Sequence, residues 1–188
     1  MDDRPVHTFG VKPASAFVLF LVALSTLGLG CHDEHGDPLC DDDGQCDCSG
    51  LESCEVECEG PSCSIDCNAL NDCDAACEDD CAIDCDDLDN CDAACGNDCS
   101  IDCTSLSQCD AACGEACDYS CRNASACDVT VGPSSSVDCQ SVGQCAVDCE
   151  GACEVDCSNA GSCDVRCVHS DGSLGDPEVF DTTRFVCS

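Results

Sequence analysis

Residues 73–90 read CDAACEDDCAIDCDDLDN, residues 91–108 read CDAACGNDCSIDCTSLSQ, and residues 109–126 read CDAACGEACDYSCRNASA. The first of these copies has Cys73, Cys77, Cys81 and Cys85, the second Cys91, Cys95, Cys99 and Cys103, and the third Cys109, Cys113, Cys117 and Cys121, so the period is 18. The pattern continues as CDVTVGPSSSVDCQSVGQ over 127–144 and CAVDCEGACEVDCSNAGS over 145–162. A copy with one extra residue starts at Cys54, and a partial copy starts at Cys163. Regular self-similarity at this length signals a solenoid or array of stacked units.

Each copy holds two segments of the form Cys-x-apolar-x-Cys, such as Cys99-Ser100-Ile101-Asp102-Cys103. Alternation of period two puts the cysteines and the central residue on one face and the acids on the other, which describes a half-buried strand. Ile65, Ile83, Ile101, Val137 and Val155 share one repeat position, and β-branched residues suit strands. Three residues between the segments, such as Gly96-Asn97-Asp98, suit a tight turn. The five residues after the second segment centre on Leu70, Leu88, Leu106, Ala124, Val142 or Ala160, which can also turn inward. Four-residue spacing would equally draw a stripe along a helix. The Asp, Asn, Ser, Gly and Cys content is poor for helices, however. The expected fold is all-β: a disulfide-stapled, two-sided parallel β-solenoid with an 18-residue coil, its coils about 4.8 Å apart.

The repeats also suggest which cysteines pair. In 127–144, Val131 and Ser135 replace the second and third cysteines, while Cys127 and Cys139 remain. Two losses in one coil are explained if those positions bond each other across the turn. The turn pairs are then Cys58–Cys63, Cys77–Cys81, Cys95–Cys99, Cys113–Cys117 and Cys149–Cys153. If each fourth cysteine bonds the first of the next coil, the corner pairs are Cys48–Cys54, Cys67–Cys73, Cys85–Cys91, Cys103–Cys109, Cys121–Cys127, Cys139–Cys145 and Cys157–Cys163. Cys40–Cys46 and Cys167–Cys187 complete the set, and Cys31 is left over. The alternative joins first to fourth within one coil and strands an odd number of cysteines at each end. Spacing alone does not choose between them.

The chain has 29 cysteines in 188 residues, far above the usage that marks a disulfide scaffold. Such density implies an oxidising compartment. A cytosolic thiol store is the alternative, but it would favour tighter clusters like Cys46-Asp47-Cys48 and many lysines. Beyond residue 30 the aromatics are Tyr119, Phe180 and Phe185, so an oily core cannot hold the chain without staples. Net charge is −35, and past residue 30 the cations are Arg122, Arg166 and Arg184. Binding to nucleic acid, which needs cations against phosphate, is excluded, as is adhesion by charge to anionic lipid. Cations or basic partners are the natural counter-species.

Residues 16–30, AFVLFLVALSTLGLG, form one apolar run behind Arg4 and Lys12. Its length suits a signal peptide better than a spanning helix. Leu27-Gly28-Leu29-Gly30-Cys31 resembles the lipobox of bacterial lipoproteins, with Gly28 where that pattern usually has Leu. That resemblance implies cleavage before Cys31, lipid on its thiol, and membrane attachment through the lipid. Cys31 and the Cys-x-Val/Ile-Asp-Cys units together resemble cysteine-rich repeat lipoproteins of bacterial surfaces. The organisation expected is a signal peptide at 1–30, a lipidated Cys31 and acidic tether at 31–47, solenoid repeats at 48–167, and a cap at 168–188 that covers the last coil with Val179, Phe180, Phe185 and Val186. Disulfide-stapled antifreeze solenoids are similar in architecture but carry Thr ladders where this chain has Asp.

Stacking turns repeat positions into ladders. One holds Asp74, Asp92, Asp110, Asp128 and Asp164, interrupted by Ala146; the other holds Asp66, Asp84, Asp102, Asp138 and Asp156, interrupted by Ser120. Carboxylates about 5 Å apart repel by roughly 1 kcal/mol in water, and a hard cation such as calcium would relieve this. The bland reading is that the charge keeps the rod soluble and blocks sideways sheet association. No catalytic residue is expected: His7 lies in the leader, His32 and His35 in the tether, and His169 stands alone near the C-terminus. The expectation is an exported, lipid-anchored, non-enzymatic structural or interaction protein of the cell envelope, with its protein partner unspecified. Weak calcium binding on Asp66, Asp84, Asp102, Asp74, Asp92 and Asp110 is the alternative, and a thiol-based metal or redox protein is a third.

Overall fold

The computed structural model describes residues 40–188 apart from 42, 59 and 181. The leader, Cys31, His32 and His35 lie outside the described residues. Among those described, the strands are β1 (Gln45–Asp47), β2 (Ser53–Cys58), β3 (Ser64–Asn68), β4 (Asp72–Cys77), β5 (Ala82–Asp86), β6 (Asn90–Cys95), β7 (Ser100–Thr104) and β8 (Gln108–Cys113). They continue as β9 (Asp118–Arg122), β10 (Ala126–Val131), β11 (Ser135–Gln140), β12 (Gln144–Glu150), β13 (Cys153–Asp156), β14 (Ser162–Val168), β15 (Leu174–Gly175), β16 (Glu178–Val179) and β17 (Arg184–Cys187).

The chain is a two-sided parallel β-solenoid. Odd strands from β1 to β13 form one sheet and even strands from β2 to β14 the other. Neighbours in a sheet are parallel and one repeat apart, so like stacks on like: Cys73 on Cys91, Ile83 on Ile101, Asp84 on Asp102. The extra residue in the first full coil is absorbed in its turn, where Cys58 and Cys63 are five apart instead of four. Pairing begins before residue 48, because β1 runs parallel to β3 within the segment read as a tether. A three-residue strand is too short for alternation to show in the sequence.

The core is a stack of the alternating inward residues of both sheets. Within a coil the two central residues balance in size. Ala75 accompanies Ile83, Ala93 accompanies Ile101, Ala111 accompanies Tyr119, and Val129 accompanies Val137, all of them buried. Leu70, Leu88, Leu106, Ala124 and Val142 fill the corners and are buried too, while Ala160 is partly so. At the C-terminal end β17 runs antiparallel to β13, and β15 antiparallel to β14. Antiparallel strands there end the parallel stack. Phe185 packs against the core, while Val179, its register partner, and Phe180 are exposed.

Two backbone features recur every coil. Ser62, Asp80, Asp98, Ala116 and Ser134 have positive φ at the turns. Ala69, Asp87, Ser105, Asn123, Ser141 and Asn159 have positive φ at the corners. Left-handed residues reverse the chain twice per coil, and Asp and Asn tolerate that region best among residues with side chains.

Candidate functional site

The outward carboxylates form the ladders that parallel register requires. Glu55, Asp74, Asp92, Asp110 and Asp128 stack on the even sheet, and Ala146 interrupts them before Asp164. Asp47, Asp66, Asp84 and Asp102 stack on the odd sheet, and Ser120 interrupts them before Asp138 and Asp156. The six acids singled out as calcium ligands thus form two triads on opposite sides of the rod. Asp74, Asp92 and Asp110 share an open groove with Asp72, Asn90 and Gln108. Asn90 Nδ2 donates to Asp72 at 2.8 Å, and Gln108 Nε2 donates to Asp110 at 2.8 Å.

Like charges above and below shift the middle acids. Asp84 is held above the usual carboxylate range, first because neighbouring rungs strip water from it and then by Asp102, Asp66 and Asp86. Asp92 is raised in the same way, with Asp74 and Asp110 as the like charges. Asp128 is raised by desolvation and then by Asp110 and Asp148, with Arg166 opposing. Asp47 is lowered, chiefly by the Ser49 hydroxyl that donates to it.

All three arginines of the described residues stand beside acids. Arg166 Nη2 donates to Asp148 Oδ2 at 2.7 Å, and its Nε lies 2.6 Å from Oδ1 as an ion pair. Arg122 lies 3.8 Å from Asp102, and Arg184 pairs with Glu154. The described coils before residue 91 have no such relief, since no Lys or Arg occurs between Lys12 and Arg122, and Arg122 reaches back only to Asp102.

The cysteines lie in columns. All seven corner pairs are at bonding distance: Cys48–Cys54, Cys67–Cys73, Cys85–Cys91, Cys103–Cys109, Cys121–Cys127, Cys139–Cys145 and Cys157–Cys163. Cys109 and Cys121, the first and fourth cysteines of one coil, therefore bond outward to the coils on either side and not to each other, and both are fully buried. That rules out joining first to fourth within a coil. The turn pairs Cys58–Cys63, Cys77–Cys81, Cys113–Cys117 and Cys149–Cys153 are also at bonding distance, as are the end pairs Cys40–Cys46 and Cys167–Cys187.

One expected disulfide is corrected. The turn pair Cys95–Cys99 is not formed, and both cysteines are free thiols. Cys95 is the register partner of Cys113, and its Sγ sits 3.2 Å from Cys113 Sγ along the rod while also lying beside Cys99 across its own turn. Burial, then Cys99 and Asp79, push the Cys95 thiol well above its ordinary value. In the coil that lacks turn cysteines, Val131 and Ser135 are both buried, and Pro133 stiffens the turn.

Two features escaped the sequence reading. The open Cys95–Cys99 turn breaks a pattern that the repeats predict as uniform. Tyr119 takes the Ile position of its coil, is 2% exposed, and has a hydroxyl without a hydrogen-bond partner. As the one aromatic inside the repeats, it was visible in principle. His169, the histidine of the described residues, sits in the turn before β15, where its backbone N–H donates to the Ser173 carbonyl. No protein-family model, curated protein or solved structure matches the chain. A functional reading therefore rests on its own residues.

Proposed function

We propose that the chain is an exported protein of the cell envelope, anchored through a lipid on Cys31, with a non-enzymatic structural or interaction role. The observation that supports it best is the set of thirteen cysteine pairs at bonding distance, which pin nearly every turn and corner of one rod. Such pairing belongs to an oxidising compartment. A rod with acids on both flat faces resists lateral sheet association and favours basic partners.

Intact mass of the protein from a membrane fraction tests this. The expected species starts at Cys31 and carries acyl chains. A soluble product without lipid, or an uncleaved chain, overturns the anchoring.

A second reading, divalent-cation binding, is favoured by Asp84 and Asp92, each raised first by burial and then by acids on both neighbouring rungs. A hard cation with oxygen ligands relieves that repulsion. Calcium calorimetry separates the two readings: saturable heat supports binding, and a flat titration leaves the structural role.

A further inference from the structure

Six cysteines, Cys77, Cys81, Cys95, Cys99, Cys113 and Cys117, occupy three successive turns on one side of the rod. Two of these turns are closed by disulfides and the middle one is open. The sulfurs of Cys95, Cys99, Cys113 and Cys117 all lie within 4.8 Å of one another, and so do those of Cys77, Cys81 and Cys99. Sulfur therefore runs unbroken through three coils. The next coil ends the column, because Val131 and Ser135 stand at the corresponding positions.

We propose that this column is a thiol–disulfide exchange site, in which one pair of thiols moves between stacked turns. The Cys95 thiolate attacks Cys113 Sγ. The Cys113–Cys117 bond breaks, and its electron pair leaves on Cys117, which takes up the proton that Cys95 gave up. The Cys99 thiolate then attacks Cys95 Sγ and releases Cys113, which takes the proton from Cys99. The product has a Cys95–Cys99 disulfide and thiols at Cys113 and Cys117. One disulfide and two thiols exist before and after, so no oxidant or reductant is consumed. Downward, Cys99 attacks Cys81, and Cys95 then resolves the mixed disulfide, moving the thiol pair to Cys77 and Cys81.

Thiolate is the attacking species, and burial keeps the Cys95 thiol protonated at neutral pH. Acid protonates the attacking thiolate and so traps the isomers. The proposal is independent of anchoring at Cys31.

The test uses the full oxidised chain, quenched in acid, unfolded, alkylated with N-ethylmaleimide and digested without reduction. Mass spectrometry should find the label on Cys95 with Cys99 in some molecules, and on Cys113 with Cys117 or Cys77 with Cys81 in others, each isomer above about a tenth of the total. In the double variant Cys113→Ser/Cys117→Ser, the label should be confined to the two lower turns. Label on Cys95 and Cys99 alone overturns the proposal, because the thiols are then static. Absence of label within the column overturns it as well, because the middle turn is then closed by a disulfide.

Discussion

A Cβ placed on Gly132 would lie 2.5 Å from the carbonyl oxygen of Gly114, the turn residue one coil below. The Gly132 N–H donates to that same oxygen at 2.8 Å, and Gly114 donates to Gly96 in the same way at 2.7 Å. Turns stack this closely because no side chain intervenes. Gly132→Ala sets a methyl group against backbone, which cannot rotate away, and should cost about 1–3 kcal/mol. Urea unfolding checks this; an unchanged midpoint would mean that the turn column shifts freely.

Among the described residues the Tyr119 hydroxyl is buried without a hydrogen-bond partner, stacked between Ile101 and Val137. A buried hydroxyl without a partner costs about 1–3 kcal/mol. Tyr119→Phe keeps the ring and removes the oxygen, so unfolding should shift toward greater stability by about 1 kcal/mol. Loss of stability instead would show that the hydroxyl is bonded in solution.

The missing turn disulfide can be supplied. Val131 is the register partner of both Cys113 and Cys149, and Ser135 that of Cys153, so the geometry of a closed turn is already in place. Closing so short a loop contributes about 2 kcal/mol. Ser135 Oγ accepts from the Cys117 N–H at 3.1 Å, and losing that bond costs about 1 kcal/mol. Val131→Cys with Ser135→Cys should therefore gain about 1 kcal/mol under oxidising conditions and lose it on reduction.

Acidification should stabilise the rod. Asp84, Asp92 and Asp128 titrate above their ordinary value, so each binds its proton more tightly when folded. Their penalty is complete at neutral pH and lifts as the pH falls through the folded values toward the usual carboxylate range. Asp47 has the opposite sign: its contribution is present above the unfolded value and lost as the pH falls through its lowered one. Asp171, lowered chiefly by its hydrogen bonds with Ser173, has the same sign as Asp47. Both of these losses fall below the usual carboxylate range, so the three raised groups should make the urea midpoint rise between pH 7 and about pH 4.5. Salt should act in the same direction, since about 1 M shortens the screening length to roughly 3 Å, less than the ladder spacing. A midpoint that falls on both treatments would contradict ladder repulsion.

Reduction should unfold the chain and chelation should not. The buried residues are mostly Cys, Ala, Val and Ile, too small to hold a rod of this charge unaided. Circular dichroism after a thiol reductant should lose its β signal, while a chelator alone should leave it nearly unchanged. Melting by a chelator with the disulfides intact would make the Asp ladders structural metal sites.

The solenoid was legible because its signal is periodic. Alternation around Ile83, Ile101 and Val137 fixes which face is buried, and the 18-residue spacing fixes the register. What stayed hidden is either aperiodic or set by conformation. β1 is too short to alternate. Asp80, Asp98, Asp87 and Asn123 look like surface acids and amides, yet the backbone uses them as left-handed residues at its turns and corners. The Cys95 contact with Cys113 depends on a rotamer along the rod axis, which no spacing encodes. The ladders themselves could be written down from the repeat; the raised Asp84 and Asp92 required knowing how far each carboxylate is buried.

Because successive coils meet in one register, and antiparallel strands close only the last of them, a whole coil is an interchangeable part. A gene segment encoding one such unit can be duplicated or lost by unequal recombination without disturbing either end. A rod one coil longer or shorter would keep the corner pairing of every retained coil, so its reach is adjustable in whole steps.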